Sequence, residues 1–245
     1  MFPSLRHWFR PLIARLPVLI PSSCALCGAS GDETLCSGCR RQFFEHDGCR
    51  CLQCALPLTG PATCGDCLAQ PPAFDATVAA VDYAPPVDQL VLALKFGSRL
   101  ALAPLFAEML RDALLRTRMA QHGLPALLTA VPLGRRRLEE RGFNQALEIA
   151  KPLSRLLGVR LAPRLVVRSR DTRAQAMLHP DERQKNIRDA FIIPDHAIDL
   201  VRGQHVGVVD DVITTGETLN ELAVVLKRFG ALRVTNFAFA RTLPK

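Results

Sequence analysis

Near its end, the 245-residue chain reads Gln204-His205-Val206-Gly207-Val208-Val209-Asp210-Asp211-Val212-Ile213-Thr214-Thr215-Gly216-Glu217-Thr218. A short apolar run typical of a strand leads to two adjacent carboxylates and then to a hydroxyl-rich glycine turn. From Thr218 onward, apolar residues recur at spacings of three and four, which predicts a helix. A strand, a turn and a helix in this order present backbone N–H groups and the positive helix end to an anion, most often a phosphate. The two acids beside the turn suit ribose hydroxyls or a divalent metal ion.

The chain around this segment alternates between strand and helix patterns. Helices are expected at Pro86–Phe96, Leu100–Arg118, Phe143–Leu157 and Thr218–Arg228, with a kink or break at Pro152. Strands are expected at Ala76–Tyr83, Ala126–Val131, Leu165–Arg168, Phe191–Ile193, Val206–Val209 and Val234–Phe239. This alternation predicts an α/β fold, with a mainly parallel sheet flanked by helices on both faces.

Composition narrows the class of protein only partly. Apolar residues make up 49% of the chain, enough for a sizeable core, and the net charge of +8 favours anionic partners. Those partners could be a phosphorylated small molecule, nucleic acid or a lipid surface, and many basic enzymes bind no nucleic acid. No apolar run approaches the ~20 residues of a membrane span, and Arg15 and Pro17 interrupt the stretch where a signal peptide would be apolar. We therefore expect a cytoplasmic protein, with a surface-bound amphipathic N-terminal segment as the alternative.

All nine cysteines lie between Cys24 and Cys67, which predicts a metal-binding module in a reducing compartment. Eight of them form Cys-x-x-Cys pairs, whose turns direct two thiolates to one point, and two such turns complete a tetrahedral zinc site. Pairing in sequence order predicts two structural zinc ions bound by Cys24, Cys27, Cys36 and Cys39 and by Cys51, Cys54, Cys64 and Cys67. Cross-paired ligands remain the alternative, and Cys49 is left over. Four thiolates leave no open zinc position, which disfavours zinc catalysis. The module has no basic stripe with interleaved aromatic residues, so a structural or protein-docking role is favoured over nucleic-acid contact.

Three segments follow from these patterns. Residues 1–22 form an N-terminal segment, residues 23–70 a double zinc ribbon, and residues 71–245 the α/β domain. Two common nucleotide-binding signatures are absent, because the sequence contains neither Gly-x-x-x-x-Gly-Lys-[Ser/Thr] nor a Gly-x-Gly-x-x-Gly after a strand. The acidic pair is therefore not expected to belong to a P-loop ATPase or a dinucleotide-binding fold.

The segment Val206–Thr218 closely resembles the phosphoribosyl-diphosphate signature of the type I phosphoribosyltransferases. Gly207 departs from that signature, in which an aliphatic residue is usual. Other motifs narrow the resemblance to the ComF family, which includes GntX-like proteins and carries a double zinc ribbon before the transferase domain. These motifs are Leu94-Lys95-Phe96, Val131-Pro132-Leu133, Arg141-Gly142-Phe143-Asn144-Gln145 and Thr172-x-x-Gln175 with Arg183, Asn186 and Ala190-Phe191.

The resemblance implies a role for each part of the site. Asp210 and Asp211 would hold the ribose hydroxyls of phosphoribosyl diphosphate (PRPP), directly or through Mg²⁺. The residues that would cradle the 5′-phosphate are Thr214, Thr215, Gly216, Glu217 and Thr218. Leu133, Gly134 and Arg135 stand where the family carries its pyrophosphate loop. The long polar segment Ser169–Arg188 would close over the site, with Arg170, Arg173 and Arg183 as phosphate contacts, and Lys95 is a weaker candidate.

Two functional hypotheses remain open from the sequence. In the first, the protein is a phosphoribosyltransferase, a glycosyltransferase that uses PRPP and Mg²⁺ with an unknown acceptor and no recognisable catalytic base. In the second, it is a non-catalytic accessory of DNA uptake that binds nucleotide or single-stranded DNA and docks a helicase-like partner through its zinc ribbons. The family resemblance implies a connection with competence or with use of external DNA in both cases.

Overall fold

The computed structural model describes residues 22–45, 48–60, 63–117, 123–169 and 190–243. The chain divides into two compact units, residues 1–45 and 46–245. This division falls inside the segment 23–70, so the second set of paired cysteines belongs to the same unit as the α/β domain. No helix in the described ranges is long and apolar enough to cross a membrane.

The first unit is a small cysteine-bearing module. A two-stranded antiparallel sheet of β1 (Ser22–Ser23) and β2 (Ser30–Gly31) precedes the helix α1 (Ser37–Phe43). Cys36 caps this helix, since its side chain accepts a hydrogen bond from the backbone N–H of Cys39. The turn between β1 and β2 holds Cys24 and Cys27, and the start of α1 holds Cys36 and Cys39. The four sulfur atoms lie close together.

The second unit begins with a module of similar plan. An antiparallel pair, β3 (Cys49–Arg50) and β4 (Pro57–Leu58), precedes the short helix α2 (Gly65–Ala69). Its small core consists of Cys51, Cys54, Leu56 and Cys67. A core this small cannot hold a fold by burial alone, so the module depends on its metal and on the neighbouring sheet.

The α/β domain is built on a five-stranded parallel sheet in the order β5-β11-β10-β6-β7. The strands are β5 (Ala76–Asp82), β6 (Leu127–Ala130), β7 (Arg160–Leu161), β10 (His205–Ile213) and β11 (Arg233–Arg241). The central strands are buried on both faces and read as nearly continuous apolar runs, as expected for a parallel sheet between helices. The predicted α/β fold is therefore confirmed.

Six α-helices and a short 3-10 helix, Asp195–Ala197, complete the second unit within the described residues after α2. The α-helices are α3 (Val87–Phe96), α4 (Leu102–Arg116), α5 (Arg135–Arg141), α6 (Gln145–Leu157), α7 (Ile198–Val201) and α8 (Glu217–Arg228). Helix α6 begins at the cap Asn144 and ends before Gly158, and it continues through Pro152. Of the two outcomes predicted at Pro152, the break is therefore wrong, and the kink stays a prediction.

Two strand predictions need correction. The antiparallel pair β8 (Val167–Arg168) and β9 (Phe191–Ile192) forms a separate ribbon outside the main sheet. Strand β10 continues to Ile213 rather than ending at Val209, because Asp210, Val212 and Ile213 all pair with β11. The acidic pair therefore lies inside a strand, where pairing on β11 fixes its backbone.

Gly207 has a packing reason within β10. A Cβ atom at this position would lie 2.4 Å from Leu128 Cδ2 and 3.1 Å from Phe237 Cε2. Both of those side chains are fully buried. The large neighbours on β6 and β11 thus fill the space that an aliphatic residue occupies in the family signature.

Candidate functional site

The acidic pair lies near the carboxyl end of β10, and its two members point into different surroundings, as successive strand residues do. Asp211 is buried, and its Oδ2 lies 2.7 Å from the ammonium nitrogen of Lys95, at the end of α3. Asp210 is half-buried, and its Oδ1 accepts a hydrogen bond from the backbone N–H of Asp211. Lys95, a weak candidate from sequence, is thus the cationic partner of the pair.

The two carboxylates are electrostatically coupled. Burial raises the pKa of Asp210 well above its usual range, and the charge on Asp211 raises this pKa further. Lys95 acts in the opposite direction and lowers the pKa of Asp210. The site therefore carries unfavourable negative charge that an additional cation would relieve.

The predicted phosphate turn comes directly after β10, the strand that carries the acidic pair. Thr214 and Thr215 are exposed, and Gly216 has a φ of 86°, a left-handed conformation that favours glycine. The turn leads into α8, whose first residue is Glu217 and which runs for 12 residues. The Glu217 N–H donates to Thr215 Oγ1 at 3.5 Å, so the turn and the helix start are linked. The partial positive charge at the start of a helix of this length suits a phosphate.

The predicted diphosphate segment follows the adjacent strand, β6, in the chain. Strand β6 pairs with β10, and the Val131 N–H donates to the Val209 carbonyl at 2.9 Å. Asn144 donates from its side-chain amide to the Val131 carbonyl at 3.0 Å and also caps α6. The sheet therefore brings the segment containing Leu133 and Gly134 to the same edge as the acidic pair.

The arginines of the diphosphate segment point to solvent. Arg135 is 88% exposed and pairs with Glu139 one helical turn later, at 2.9 Å. Arg136 makes the same type of pair with Glu140. Both pairs lie along α5, so the ion pair of Arg135 joins it to its own helix rather than to the acidic pair. Arg170, Arg173 and Arg183 lie outside the described residues.

The eight paired cysteines form two tetrads in sequence order. In each set, Cys24/Cys27/Cys36/Cys39 and Cys51/Cys54/Cys64/Cys67, all the sulfur atoms lie within 4.8 Å of one another. A tetrahedral zinc with Zn–S bonds of about 2.3 Å requires sulfurs about 3.8 Å apart. The Cys27–Cys36 and Cys54–Cys64 sulfurs are 3.7 and 3.5 Å apart, so both tetrads fit zinc. Cys49 belongs to neither tetrad.

The second tetrad favours thiolates at some of its positions and opposes them at others. Burial would raise the pKa of Cys51, but backbone N–H groups such as that of Cys54 lower it to about 7. Burial raises the pKa of Cys54 to about 11, and the neighbouring Cys64 and Cys51 side chains also raise it. Cys51 therefore loses its proton readily, whereas Cys54 resists losing its own. A bound divalent cation would stabilise both thiolates.

Sequence patterns did not single out Arg241, at the end of β11. This residue is buried, and its guanidinium donates to the carbonyls of Cys54, Ile213 and Thr214. The sequence did contain one sign of its importance, because a charged residue at the end of a buried strand needs hydrogen-bond partners. Only the tertiary structure identifies those partners as a tetrad residue and the phosphate turn.

Known protein families match both the cysteine-bearing segment and the α/β domain. Residues 144–241 match the phosphoribosyl transferase domain, and residues 15–68 match the double zinc ribbon domain. The fold and the site thus define a protein with a phosphoribosyltransferase-type domain preceded by zinc ribbons.

Curated relatives identify the family more closely. The chain is 38% identical to DNA utilization protein YhgH of Escherichia coli strain K12, over 91% of this chain and 99% of that protein. It is 34% identical to competence protein F of Haemophilus influenzae, over 84% and 90%. The chain belongs to the ComF family, which includes these two proteins.

Solved structures with detectable similarity include two phosphoribosyltransferases. The adenine phosphoribosyltransferase of Thermoanaerobacter pseudethanolicus is 21% identical, with a TM-score of 0.35 over 62% of this chain and 82% of that chain. The purine phosphoribosyltransferase of Pyrococcus horikoshii is 18% identical, with a TM-score of 0.31 over 69% and 89%.

Proposed function

We propose that the chain binds PRPP together with Mg²⁺ and transfers the phosphoribosyl group to an acceptor. The observation that supports this most is the meeting of two segments at one sheet edge. The acidic pair and the turn Thr214–Thr218 follow β10, and residues 131–134 follow the adjacent strand β6. A ribose with a phosphate at one end and a diphosphate at the other matches this arrangement.

Each segment has a distinct task in this proposal. The residues Thr214, Thr215, Gly216, Glu217 and Thr218 bind the 5′-phosphate with their backbone N–H groups and hydroxyls. Leu133 and Gly134 offer backbone to the diphosphate, and Arg135 would have to leave Glu139 to add its charge. Arg170, Arg173 and Arg183 complete the phosphate contacts by closure of their loop, which would exclude water.

The acidic pair is suited to Mg²⁺ because it offers hard carboxylate oxygens and carries the unfavourable charge described above. Asp210 and Asp211 would hold the ion or the ribose hydroxyls directly. The ion would neutralise charge on the leaving diphosphate. The chain's own contribution is to hold the anomeric carbon and the acceptor in line, and no nucleophile or general base is assigned.

Calorimetric titration with PRPP in the presence of Mg²⁺ tests this proposal. Wild type should bind, and Asp210→Asn and Asp211→Asn should each bind at least about tenfold more weakly, a loss of about 1.4 kcal/mol. Asp199→Asn is a matched control, because the Asp199 side chain is 90% exposed and lies in a surface pair with Arg202. Absence of binding by wild type would refute the proposal.

A second candidate function rests on the names of the relatives, DNA utilization protein and competence protein F. In this version the pocket binds a nucleotide or a single-stranded DNA end without turnover, and the zinc ribbons dock a helicase-like partner. Two results would favour it over the transferase. They are binding of single-stranded DNA that competes with PRPP, and no diphosphate release with any acceptor.

The cellular setting is part of the same proposal. We place the protein in the cytoplasm, because both tetrads require reduced cysteines to hold zinc. The connection with uptake or use of DNA follows from the relatives. Loss of growth on DNA as a nutrient after Asp210→Asn, with the protein level unchanged, would connect the pocket to that process.

A further inference from the structure

Arg241 occupies an unusual position for a charged residue. It is the last residue of β11, pairs in register with Ile213 of β10 and Asp82 of β5, and is 7% exposed. Burying a guanidinium is costly unless its N–H groups find acceptors. The identity of those acceptors therefore shows what the residue holds together.

Besides the adjacent Thr242, whose carbonyl and hydroxyl also accept from Arg241, the acceptors come from two separate parts of the second unit. Arg241 Nε donates to the Cys54 carbonyl at 2.9 Å. One of its terminal nitrogens donates to the Ile213 carbonyl at 3.2 Å and also to the Thr214 carbonyl. Cys54 is a member of the second tetrad, and Thr214 opens the phosphate turn. One rigid planar group thus joins the metal module to that turn.

The turn that carries Cys51 and Cys54 is also attached to the edge of the sheet. Arg50 donates to the Ala55 carbonyl at 3.1 Å and to Asp82 Oδ1 at 2.8 Å, at the end of β5. The Thr77 N–H donates to the Leu52 carbonyl at 3.0 Å. This cysteine turn is therefore seated against β5, and Arg241 can transmit its position to β10.

The shape of the cysteine turn depends on the metal. The module has only a small apolar core. Its tetrad brings four cysteine sulfurs together, and three of these cysteines are buried. Holding four thiolates this close is favourable when a zinc ion neutralises their charge. Loss of zinc would release the turn and move the Cys54 carbonyl. Arg241 would then lose one of its acceptors and with it part of its constraint on Thr214.

We propose that Arg241 is a positioning residue that couples the second cysteine tetrad to the phosphate turn, so that zinc at this tetrad tightens binding of a ribose 5′-phosphate group. The coupling rests on the proposed function only for the identity of the ligand. The mechanical connection between Cys54 and Thr214 is independent of it. Arg241 touches no ligand in this scheme and acts through the carbonyls of Ile213 and Thr214.

The experiment compares Arg241→Lys, Cys67→Ser and the double variant in the whole 245-residue chain. Cys67 is chosen because its substitution removes a ligand and leaves the Cys54 backbone unchanged. The readouts are zinc content, amide hydrogen exchange of peptides covering Ile213–Thr218, and calorimetric affinity for PRPP with Mg²⁺. Each single variant should exchange faster in these peptides and bind about tenfold more weakly.

The double variant separates coupling from independent damage. If the tetrad acts through Arg241, the double variant should bind about as weakly as either single variant. A loss close to the product of the two, about a hundredfold, would overturn the proposal. Wild-type exchange and affinity in a folded Arg241→Lys protein would also overturn it.

Two controls keep the outcome interpretable. Cys49→Ser is the matched substitution, because Cys49 lies in β3 outside both tetrads, and it should behave as wild type. Peptides from the core strand β6 should keep wild-type exchange, which excludes global unfolding. If Arg241→Lys does not fold, Cys67→Ser decides the question by exchange alone, and unchanged exchange at Ile213–Thr218 would refute the coupling.

The ligand-independent readout also separates this inference from the proposed function. If wild type does not bind PRPP, the proposed function fails while hydrogen exchange still tests the coupling. If wild type binds, linkage requires a reciprocal effect. PRPP should then strengthen the binding of one of the two zinc ions by the same factor, measured by equilibrium competition with a chelator, and equal zinc affinity with and without ligand would contradict the coupling.

Discussion

Lys95→Met is the sharpest test of the electrostatics at the acidic pair. It removes the ammonium group that lies 2.7 Å from Asp211 Oδ2 and keeps a side chain of similar length. At that distance two unit charges attract by about 6 kcal/mol at an effective dielectric constant of about 20. Desolvation offsets much of this attraction, and removing one partner of a buried pair typically costs about 3–5 kcal/mol. Because the Lys95 side chain is 21% exposed, we expect a loss of about 2–3 kcal/mol.

The loss should depend on pH in a direction set by Asp210. Lys95 lowers the pKa of Asp210, so its removal leaves that pKa raised still further above the usual carboxyl value. A carboxyl with a raised folded-state pKa stabilises the fold most at low pH, and this contribution is lost as the pH rises through the folded-state pKa. Lys95→Met should therefore be more destabilised at pH 8 than at pH 5.

Urea unfolding at both pH values, with and without Mg²⁺, is the assay. Mg²⁺ should restore part of the lost stability beyond the effect of NaCl at equal ionic strength, because a cation at the pair replaces the missing charge. Lys151→Met is the matched control. The Lys151 side chain is 45% exposed and pairs with Glu148 at 2.6 Å, so its loss should cost less than about 1 kcal/mol. The reasoning fails if Lys95→Met unfolds like wild type, or if its loss is the same at pH 5 and pH 8.

Three further predictions follow from the same structure. Asp210→Asn should raise the free energy of unfolding at pH 8 by about 1 kcal/mol, because it removes a poorly solvated charge beside Asp211; a stability gain equally large at pH 4 in urea unfolding would contradict this. Gly207→Val should cost about 2–3 kcal/mol, because its Cβ would meet Leu128 Cδ2 at 2.4 Å. Combining it with Leu128→Ala should cost less than the sum of the two single changes, and strict additivity would show that the clash is relieved elsewhere. Metal analysis should find about two zinc ions per chain and about one in Cys64→Ser, and any other loss would argue against the two tetrads.

Local patterns in the sequence predicted a large part of this structure. The parallel sheet follows from apolar strands alternating with amphipathic helices, because such strands must be covered on both faces. The turn at Gly216 and the start of α8 were predicted from residue types that adopt those conformations. The Cys-x-x-Cys turns predicted two four-thiol sites, and the structure decides between sequence-order pairing and the cross-paired alternative in favour of sequence order.

Other features could not be predicted, because they depend on residues far apart in the chain. Strand β10 extends through Asp210 and Asp211 because β11 offers partners up to Arg241, and strand ends are set by such pairing. The helix continues through Pro152 because the surrounding packing outweighs the local cost of proline. Arg135 was predicted to contact phosphate from its position, yet in the conformation described it pairs with Glu139 along its own helix.

The sequence by itself determined the chemistry available to this protein: two acids before a glycine turn, and two sets of four thiols. These are local properties, since neighbouring residues supply both the groups and the backbone shape. The tertiary structure alone decided which distant groups complete them. Lys95 reaches Asp211 from another element, and Arg241 joins the Cys54 carbonyl to the phosphate turn. Such contacts arise only when the sheet forms, because parallel strands bring residues far apart in sequence to one edge.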